Sequence, residues 1–284
     1  MRKILIVEDE EALERLLARL LGDAGFQVST ASDGESALKL AQREVFDLVL
    51  LDVQLPGISG LEVLARLHEQ PSPPKVIVMT GDNAPETVLQ AVRDQAYRYL
   101  SKPFEPQQLV ELVRNALETP SAPLHIEVLS ARPDWVEILV PCDLETAERI
   151  QGFMGHLEAD LPEDVRQTVG RAFRELLLNA IEWGGRLDPT CRVRIAYLRG
   201  RRMVLYRIAD PGRGFRFEGL AHSAANNPPD QPAAHISVRE EKGMRPGGFG
   251  LVLVRAMVDE LLYNEAQNEV LFIKYTDASD PGKP

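Results

Sequence analysis

The 284 residues contain no long hydrophobic run, no basic stripe and only two cysteines. Each scarcity removes a class of function. The longest apolar stretches are strand-sized, well short of the roughly 18 residues that cross a bilayer, so no membrane partner is expected. Met1-Arg2-Lys3 begins with positive charge, but the acidic run Glu8-Asp9-Glu10-Glu11 closes the following apolar stretch after four residues. That is too short for a signal peptide, and a cytoplasmic location is expected. Lys and Arg total 32 against 43 Asp and Glu, a net charge of −11. Without clustered basic residues, sequence-independent attraction to nucleic acid is not expected. Cys142 and Cys191 stand far apart in the chain without a partner motif, and they read as reduced, buried thiols.

What is present is two domains' worth of chain, with 44% hydrophobic and 26% charged residues, ordinary for a globular protein. Residues 1–118 alternate between two kinds of segment. Lys3–Val7, Phe26–Thr30, Asp47–Leu51, Lys75–Thr80 and Arg98–Ser101 are short, apolar and partly β-branched. Amphipathic runs lie between them. Ala12, Leu13, Leu16, Leu17 and Leu20 recur at helical spacing, and Asp33 caps a second helix. Further helices are expected from Ser59-Gly60, Ala84-Pro85 and Glu105-Pro106, the last two with proline in the first turn. Five successive strand–helix units predict an α/β domain with a doubly wound, five-stranded parallel sheet.

In such sheets ligands bind beyond the carboxyl ends of the strands, and the candidate chemical residues fall there. Glu8 and Asp9 follow the first strand, Asp52 ends the third, Thr80 ends the fourth and Lys102 follows the fifth. Three carboxylates at one edge repel one another unless a cation sits among them. Oxygen ligands without His or Cys favour Mg²⁺. A carboxylate beside Mg²⁺ and a lysine can attack a phosphoryl donor and become an aspartyl phosphate. Lys102 would offset charge on the phosphoryl oxygens, and Thr80 would donate a hydrogen bond to one of them.

Glu8-Asp9, Asp52, Pro56-Gly57, Gly60, Thr80 and Lys102-Pro103-Phe104, in that order, resemble the response-regulator receiver family across residues 1–118, a flavodoxin-like fold. The resemblance implies that Asp52 is the phosphoacceptor and that Glu8, Asp9, Asp52 and the Gln54 carbonyl hold Mg²⁺. It also implies a cis Lys102–Pro103 peptide, and Tyr99 as an aromatic switch whose rotamer follows Thr80. Gln95 departs from the family, which usually has a helix-ending glycine there.

Residues 119–133 read as a linker with a possible arm strand, beginning Thr119-Pro120-Ser121-Ala122-Pro123. The second domain is expected over 134–278, with a tail at 279–284. Its helices are expected at Leu144–Leu157, Glu163–Gly184 and Leu251–Leu262, and strands at Val136–Val140, Met203–Ala209 and Glu269–Tyr275. Glu175, Asn179 and Glu182 share one helical stripe, within roughly 60° of arc at 3.6 residues per turn. Taken alone, that stripe reads equally as a solvated face. The strand 203–209 leads into Asp210-Pro211-Gly212-Arg213-Gly214, where an aspartate can accept from an amino group such as adenine N6 and glycines let backbone N–H groups approach a ligand. Gly247-Gly248-Phe249-Gly250 then opens a helix, a ready anion site.

Together these three segments are similar to the N, G1 and G2 boxes of the GHKL ATPase family, an α+β sandwich of the Bergerat fold. Within that family the chain resembles the anti-sigma-factor serine kinases. The resemblance implies ATP as cofactor, Asn179 as a second Mg²⁺ ligand and Glu175 as the base that takes a Ser or Thr hydroxyl proton. Asp210 would read adenine, and Gly212, Gly214, Gly248 and Gly250 would line the phosphates and lid. Residues 222–235, rich in Ala, Asn and Pro, read as that lid, and Trp183 stands where many relatives have a polar residue. Of His68, His125, His156, His222 and His235, only His156 is on an expected helix. It lacks the acidic-then-basic pair that marks a sensor-kinase phosphoacceptor, so no relay histidine is expected in this chain.

The expected function is a two-component response regulator. An upstream histidine kinase or phosphotransfer protein would phosphorylate Asp52. The ATP-binding domain would then phosphorylate a Ser or Thr of a protein antagonist, or grip a sigma factor or antagonist without catalysis. Self-association as a homodimer through either domain stays open.

Overall fold

A computed structural model of the chain describes residues 1–81, 84–118, 125–132, 134–214, 231, 234–241 and 249–276. Gly247, Gly248, His222, the tail 279–284, residues 119–124 and 133 of the expected linker, and most of the expected lid lie outside the described residues. The chain divides into two compact units, Met1–His125 and Ile126–Pro284.

In the first unit, five strands alternate with five helices. The strands are β1 (Lys3–Val7), β2 (Gln27–Ala31), β3 (Leu48–Asp52), β4 (Lys75–Thr80) and β5 (Arg98–Ser101). The helices are α1 (Glu11–Asp23), α2 (Gly34–Arg43), α3 (Gly60–His68), α4 (Pro85–Arg93) and α5 (Pro106–Glu118). All strand pairs are parallel, in the order β2-β1-β3-β4-β5. Strands β1, β3 and β4 are covered on both faces, so they read as unbroken apolar runs rather than alternating ones. Ile4, Ile6, Leu48, Leu50, Ile77 and Met79 pack with Leu17, Leu21, Leu109 and Val113 from α1 and α5. Leu16, inside the same heptad-like run, is exposed. Helix starts follow local capping: the Asp33 side chain accepts from the Ser36 N–H (2.8 Å), and the Ser59 hydroxyl accepts from the Glu62 N–H (3.3 Å).

The second unit is a six-stranded antiparallel sheet of order β10-β11-β9-β8-β7-β6. Its strands are β6 (Glu127–Arg132), β7 (Trp135–Pro141), β8 (Arg192–Arg199), β9 (Met203–Ala209), β10 (Glu260–Tyr263) and β11 (Glu269–Tyr275). One face carries α6 (Leu144–Leu157), α7 (Glu163–Asn179) and α9 (Gly250–Met257), and α8 spans Ala234–Glu241. Along β9 the buried residues alternate, Val204, Tyr206 and Ile208, as period-2 geometry requires of a half-covered sheet. Tyr206 centres an aromatic cluster with Phe173 on α7 (4.7 Å between centroids), Tyr197 on β8 (5.0 Å) and Phe272 on β11 (5.1 Å). The doubly wound α/β sheet of the first unit and the α+β sandwich of the second agree with the fold class expected from the sequence.

Two expected helices are shorter than the sequence suggested. The run 251–262 is not one helix: α9 ends at Met257, and 260–263 form the edge strand β10. Asp259 breaks the run, its carboxylate accepting from Lys274 Nζ (3.0 Å) and the Tyr275 N–H (2.6 Å). Helix α7 also changes character at its end, where Ala180–Gly184 form a π-turn. Spacing of 3.6 residues therefore does not carry through from Asn179 to Glu182. The expected arm strand is Glu127–Arg132 and belongs to the second sheet, paired with β7.

Candidate functional site

The parallel sheet brings Glu8, Asp9, Asp52, Thr80 and Lys102 to one edge. Glu8 and Asp52 are buried, Thr80 fully so, and Asp9 is exposed. One carboxylate oxygen from each of Glu8, Asp9 and Asp52 lies within 4.8 Å of the others. Lys102 Nζ donates to Glu8 Oε2 (2.7 Å) and to Asp52 Oδ2 (2.5 Å). The other Asp52 oxygen accepts from the Gln54 N–H (3.0 Å). The Lys102 N–H donates to the Thr80 carbonyl (2.8 Å), which ties the lysine to the end of β4, and the Lys102–Pro103 peptide is cis. Gly60 is required by space: a Cβ there would lie 1.9 Å from the Asp52 carbonyl oxygen.

The electrostatics follow from two buried carboxylates sharing one cation. Burial pushes the Glu8 carboxyl above its ordinary value, and the Asp52 charge adds to this against the pull of Lys102. Burial by itself would lower the Lys102 pKa, but hydrogen bonds and charge from Asp52 and Glu8 outweigh it and hold the ammonium above its usual value. Three oxygen donors with one exposed member form a donor set suited to Mg²⁺. Tyr99 is buried on β5, in register with Val78.

In the second unit the sequence-selected residues meet through glycines. A Cβ on Gly250, the first residue of α9, would come within 2.5 Å of Glu175 Oε2, so the α7 carboxylate lies against the start of α9. Asn179 follows one turn later on α7, half-buried. A Cβ on Gly184 would lie 2.3 Å from Asp210 Oδ1, so the π-turn that follows Asn179 presses on the Asp210 carboxylate. Asp210 accepts from the Gly212 N–H (2.7 Å), and burial raises its pKa despite that bond. Asn268, in the β10–β11 hairpin, braces the turn by donating to the Gly212 carbonyl (3.0 Å). Gly214 has φ +77° and leaves no room for a Cβ against the Ala266 carbonyl, so a side chain is excluded there on two grounds.

Three of these contacts were not legible beforehand. Gly184 and Gly185 directly follow the Asn179 stretch, and that pair was the only available signal for the contact with Asp210. Nothing in the chain order pointed to Asn268. Cys142 and Cys191, far apart in sequence, are neighbours: the Cys142 N–H donates to the Cys191 carbonyl (3.1 Å). Both thiols are free, and Cys191 is half-buried rather than buried.

Comparison with known proteins agrees with this division. Residues 4–114 match the response regulator receiver domain, and residues 140–274 match the histidine kinase-like ATPase domain. Over 127 residues, 45% of this chain, the sequence is 38% identical to the alginate biosynthesis transcriptional regulatory protein AlgB of Pseudomonas aeruginosa, covering 28% of that protein. Over 116 residues, 41% of this chain, it is 38% identical to the alkaline phosphatase synthesis transcriptional regulatory protein PhoP of Bacillus subtilis, covering 48% of it. The chain thus spans less than half the length of these relatives. A CheY-like receiver domain from Methanospirillum hungatei is 30% identical, with a TM-score of 0.41 over 42% of this chain and 94% of that one. The protein is a response regulator receiver domain joined to a histidine kinase-like ATPase domain. No helix among the described residues is long and apolar enough to cross a membrane.

Proposed function

We propose that the protein is a two-component response regulator in which phosphorylation of Asp52 controls an ATP-dependent serine/threonine protein kinase of the partner-switching, anti-sigma type. The observation that carries the kinase reading is the Glu175 carboxylate held against Gly250 at the head of α9, one turn from Asn179. A carboxylate there suits a general base for a hydroxyl nucleophile. Phosphoryl transfer asks mainly for positioning and charge offset, which Asn179, as the residue that would hold Mg²⁺, and the glycine-lined turns at Gly212, Gly214 and Gly250 would supply. Asp210, desolvated beside Gly184, would accept from the adenine amino group.

In the first unit, Asp52 Oδ would attack a phosphoryl donor from an upstream histidine kinase or phosphotransfer protein. Lys102 would turn from bridging two carboxylates to neutralising phosphoryl oxygens, and Thr80 would donate to one of them. Mg²⁺ held by Glu8, Asp9, Asp52 and the Gln54 carbonyl would offset charge on the transferring group. Tyr99 would follow Thr80 inward. The two compact units would correspond to the domains 1–118 and 134–278, joined by the segment 119–133.

Transfer of labelled γ-phosphate from ATP to a protein antagonist tests this reading. Glu175→Gln should retain nucleotide binding and slow transfer by roughly 10²–10⁴-fold, the usual worth of a positioned base. Transfer unaffected by Glu175→Gln would remove the assigned base. ATP-dependent capture of a sigma factor or antagonist with no phosphoprotein formed would instead identify a non-catalytic sequestering module. Acetyl phosphate with Mg²⁺ should add one phosphate to the wild-type chain and none to Asp52→Asn.

A further inference from the structure

The loop from the end of α7 to the start of β8 contains both strain and sulfur. Arg186 (φ 55°) and Leu187 (φ 56°) are consecutive non-glycine residues in the left-handed region, a conformation that persists only where its surroundings enforce it. Hydrogen bonds do so on one side: the Gly185 N–H donates to Ala180 (2.8 Å), the Leu187 N–H to Ile181 (3.0 Å) and the Asp188 N–H to Gly185 (3.0 Å). Packing does so on the other. A Cβ on Gly185 would lie 2.1 Å from Cys142 Sγ, so that sulfur sits directly beneath the Gly184-Gly185 turn that presses on Asp210.

Cys142 is one residue past the last β7–β8 pair, Pro141↔Arg192. Its N–H donates to the Cys191 carbonyl at 3.1 Å, which sets the two cysteines opposite each other. Opposed residues of an antiparallel pair have Cα atoms about 5.5 Å apart when hydrogen-bonded and side chains on one face. A disulfide spans Cα separations of roughly 4.4–6.8 Å. Two residues inside the ladder, the register partners Val140 and Val193 are both fully buried. Cys142 Sγ now lies against Gly185, and the Cys191 N–H donates to the Asp188 carbonyl (3.0 Å). Cys142 is the protected partner, buried with its pKa raised to about 11, whereas Cys191 is half-buried and so the more accessible of the two.

We infer that Cys142 and Cys191 form a reversible intrachain disulfide that releases the Gly184–Asp188 turn and so weakens the nucleotide site. The Cys191 thiol reduces a peroxide to water and becomes a sulfenic acid. The Cys142 sulfur then displaces the hydroxyl as a second water, closing the S–S bond. Overall two thiols lose two hydrogens and hydrogen peroxide becomes two waters. A dithiol reductant reverses the step. Bond formation requires Cys142 to rotate away from Gly185, leaving the left-handed pair Arg186-Leu187 without its support. The consequence for nucleotide rests on the ATP-binding reading above; the disulfide and the loop release do not.

The test uses the full chain, reduced and then exposed to hydrogen peroxide. Non-reducing peptide mapping should find Cys142 joined to Cys191, and dithiothreitol should separate them. Amide exchange at Gly185, Leu187 and Asp188 should quicken roughly tenfold or more on oxidation, and affinity for a fluorescent ATP analogue should fall at least about fivefold. Cys191→Ser should show neither change. The inference is overturned if Cys191 instead proceeds to sulfinic acid or pairs between chains, or if the disulfide forms and exchange at those three amides is unchanged. If the reduced chain binds no nucleotide, the ATP reading fails while mapping and exchange still decide this one.

Discussion

The two candidate sites both rest on acidic side chains but hold them by different means. In the first unit, Glu8 and Asp52 are buried at strand ends and share the Lys102 ammonium. The position is set by charge, and the glycine at 60 only makes room. In the second unit, Glu175 and Asp210 have no ion pair among the described residues. They are placed by close backbone approach, Gly250 against Glu175 and Gly184 against Asp210. A site built on opposed charge is sensitive to loss of the cation and to Mg²⁺. A site built on missing Cβ atoms is sensitive to volume.

Removing the cation should therefore have the largest effect. Lys102→Met leaves two buried carboxylates unpaired, and breaking such a pair costs about 3–5 kcal/mol. The protection of β1 and β3 amides against exchange should fall accordingly at neutral pH. Mg²⁺ should restore much of it, because an ion bound only by the folded unit stabilises it. Loss of protection without Mg²⁺ rescue would show that the three carboxylates do not form a cation site.

The second unit also buries a carboxylate, but away from its site. Glu158, at the end of α6, accepts from the Tyr206 hydroxyl within the aromatic core. Burial raises its pKa from 4.5 to about 7, against the pull of that bond and of Arg199 and Arg166. A raised folded pKa means that the folded unit holds its proton longer than the unfolded chain does. Its stabilising contribution is then complete below pH 4.5 and is lost as pH rises through about 7, on the order of 3 kcal/mol in all. Both tryptophans, Trp135 and Trp183, lie in this unit, so their fluorescence in urea reports its unfolding alone. Stability should decline between pH 5 and 7.5, and Glu158→Gln should flatten that slope. A slope unchanged in Glu158→Gln would assign it to another group.

Volume is the weak point of the second site. Gly250→Ala places a methyl group against Glu175 Oε2, the free end of a flexible side chain. The fold can yield there, and alanine is the better residue in a helix by about 0.5–1 kcal/mol. The urea midpoint should hold or rise slightly while γ-phosphate transfer falls roughly tenfold, equivalent to about 1.4 kcal/mol. Parallel losses of stability and transfer would mean that Gly250 serves the fold rather than the site.

The same contrast decides what the sequence could disclose. Strands doubly covered by helices stay apolar along their length, so β1, β4 and β5 were placed to the residue and β2 and β3 within one. The residues that matter stand at those strand ends, and strand position alone brings them together. Glu175, Asp210 and Cys142 instead depend on which glycine lies against them from a distant segment, and neither spacing nor composition encodes that pairing. The apolar run 251–262 misled for a related reason. Helix α9 and edge strand β10 are both apolar, and only the Asp259 contacts with β11 separate them.

Both units hold non-glycine residues in the left-handed region, Gln95 in the first and Arg186, Leu187 and Gln267 in the second. Gln95 ends α4 with φ 62°, where the fold favours glycine. Its buried side chain donates weakly to the Val92 and Arg93 carbonyls, at 3.4 Å each. Left-handed backbone costs an L-residue about 1–2 kcal/mol, while glycine gives back about 0.5–1 kcal/mol in unfolded-state entropy. Gln95→Gly should therefore stabilise the first unit by about 0.5 kcal/mol, seen as slower exchange of β4 and β5 amides. Acetyl-phosphate labelling of Asp52 should not change, because the turn lies at the opposite end of α4 from Thr80. A destabilised variant would show that the long bonds at 3.4 Å and the buried amide outweigh the strain. Backbone conformation in this unit would then be enforced by side-chain contacts, as it is around Gly185 in the other.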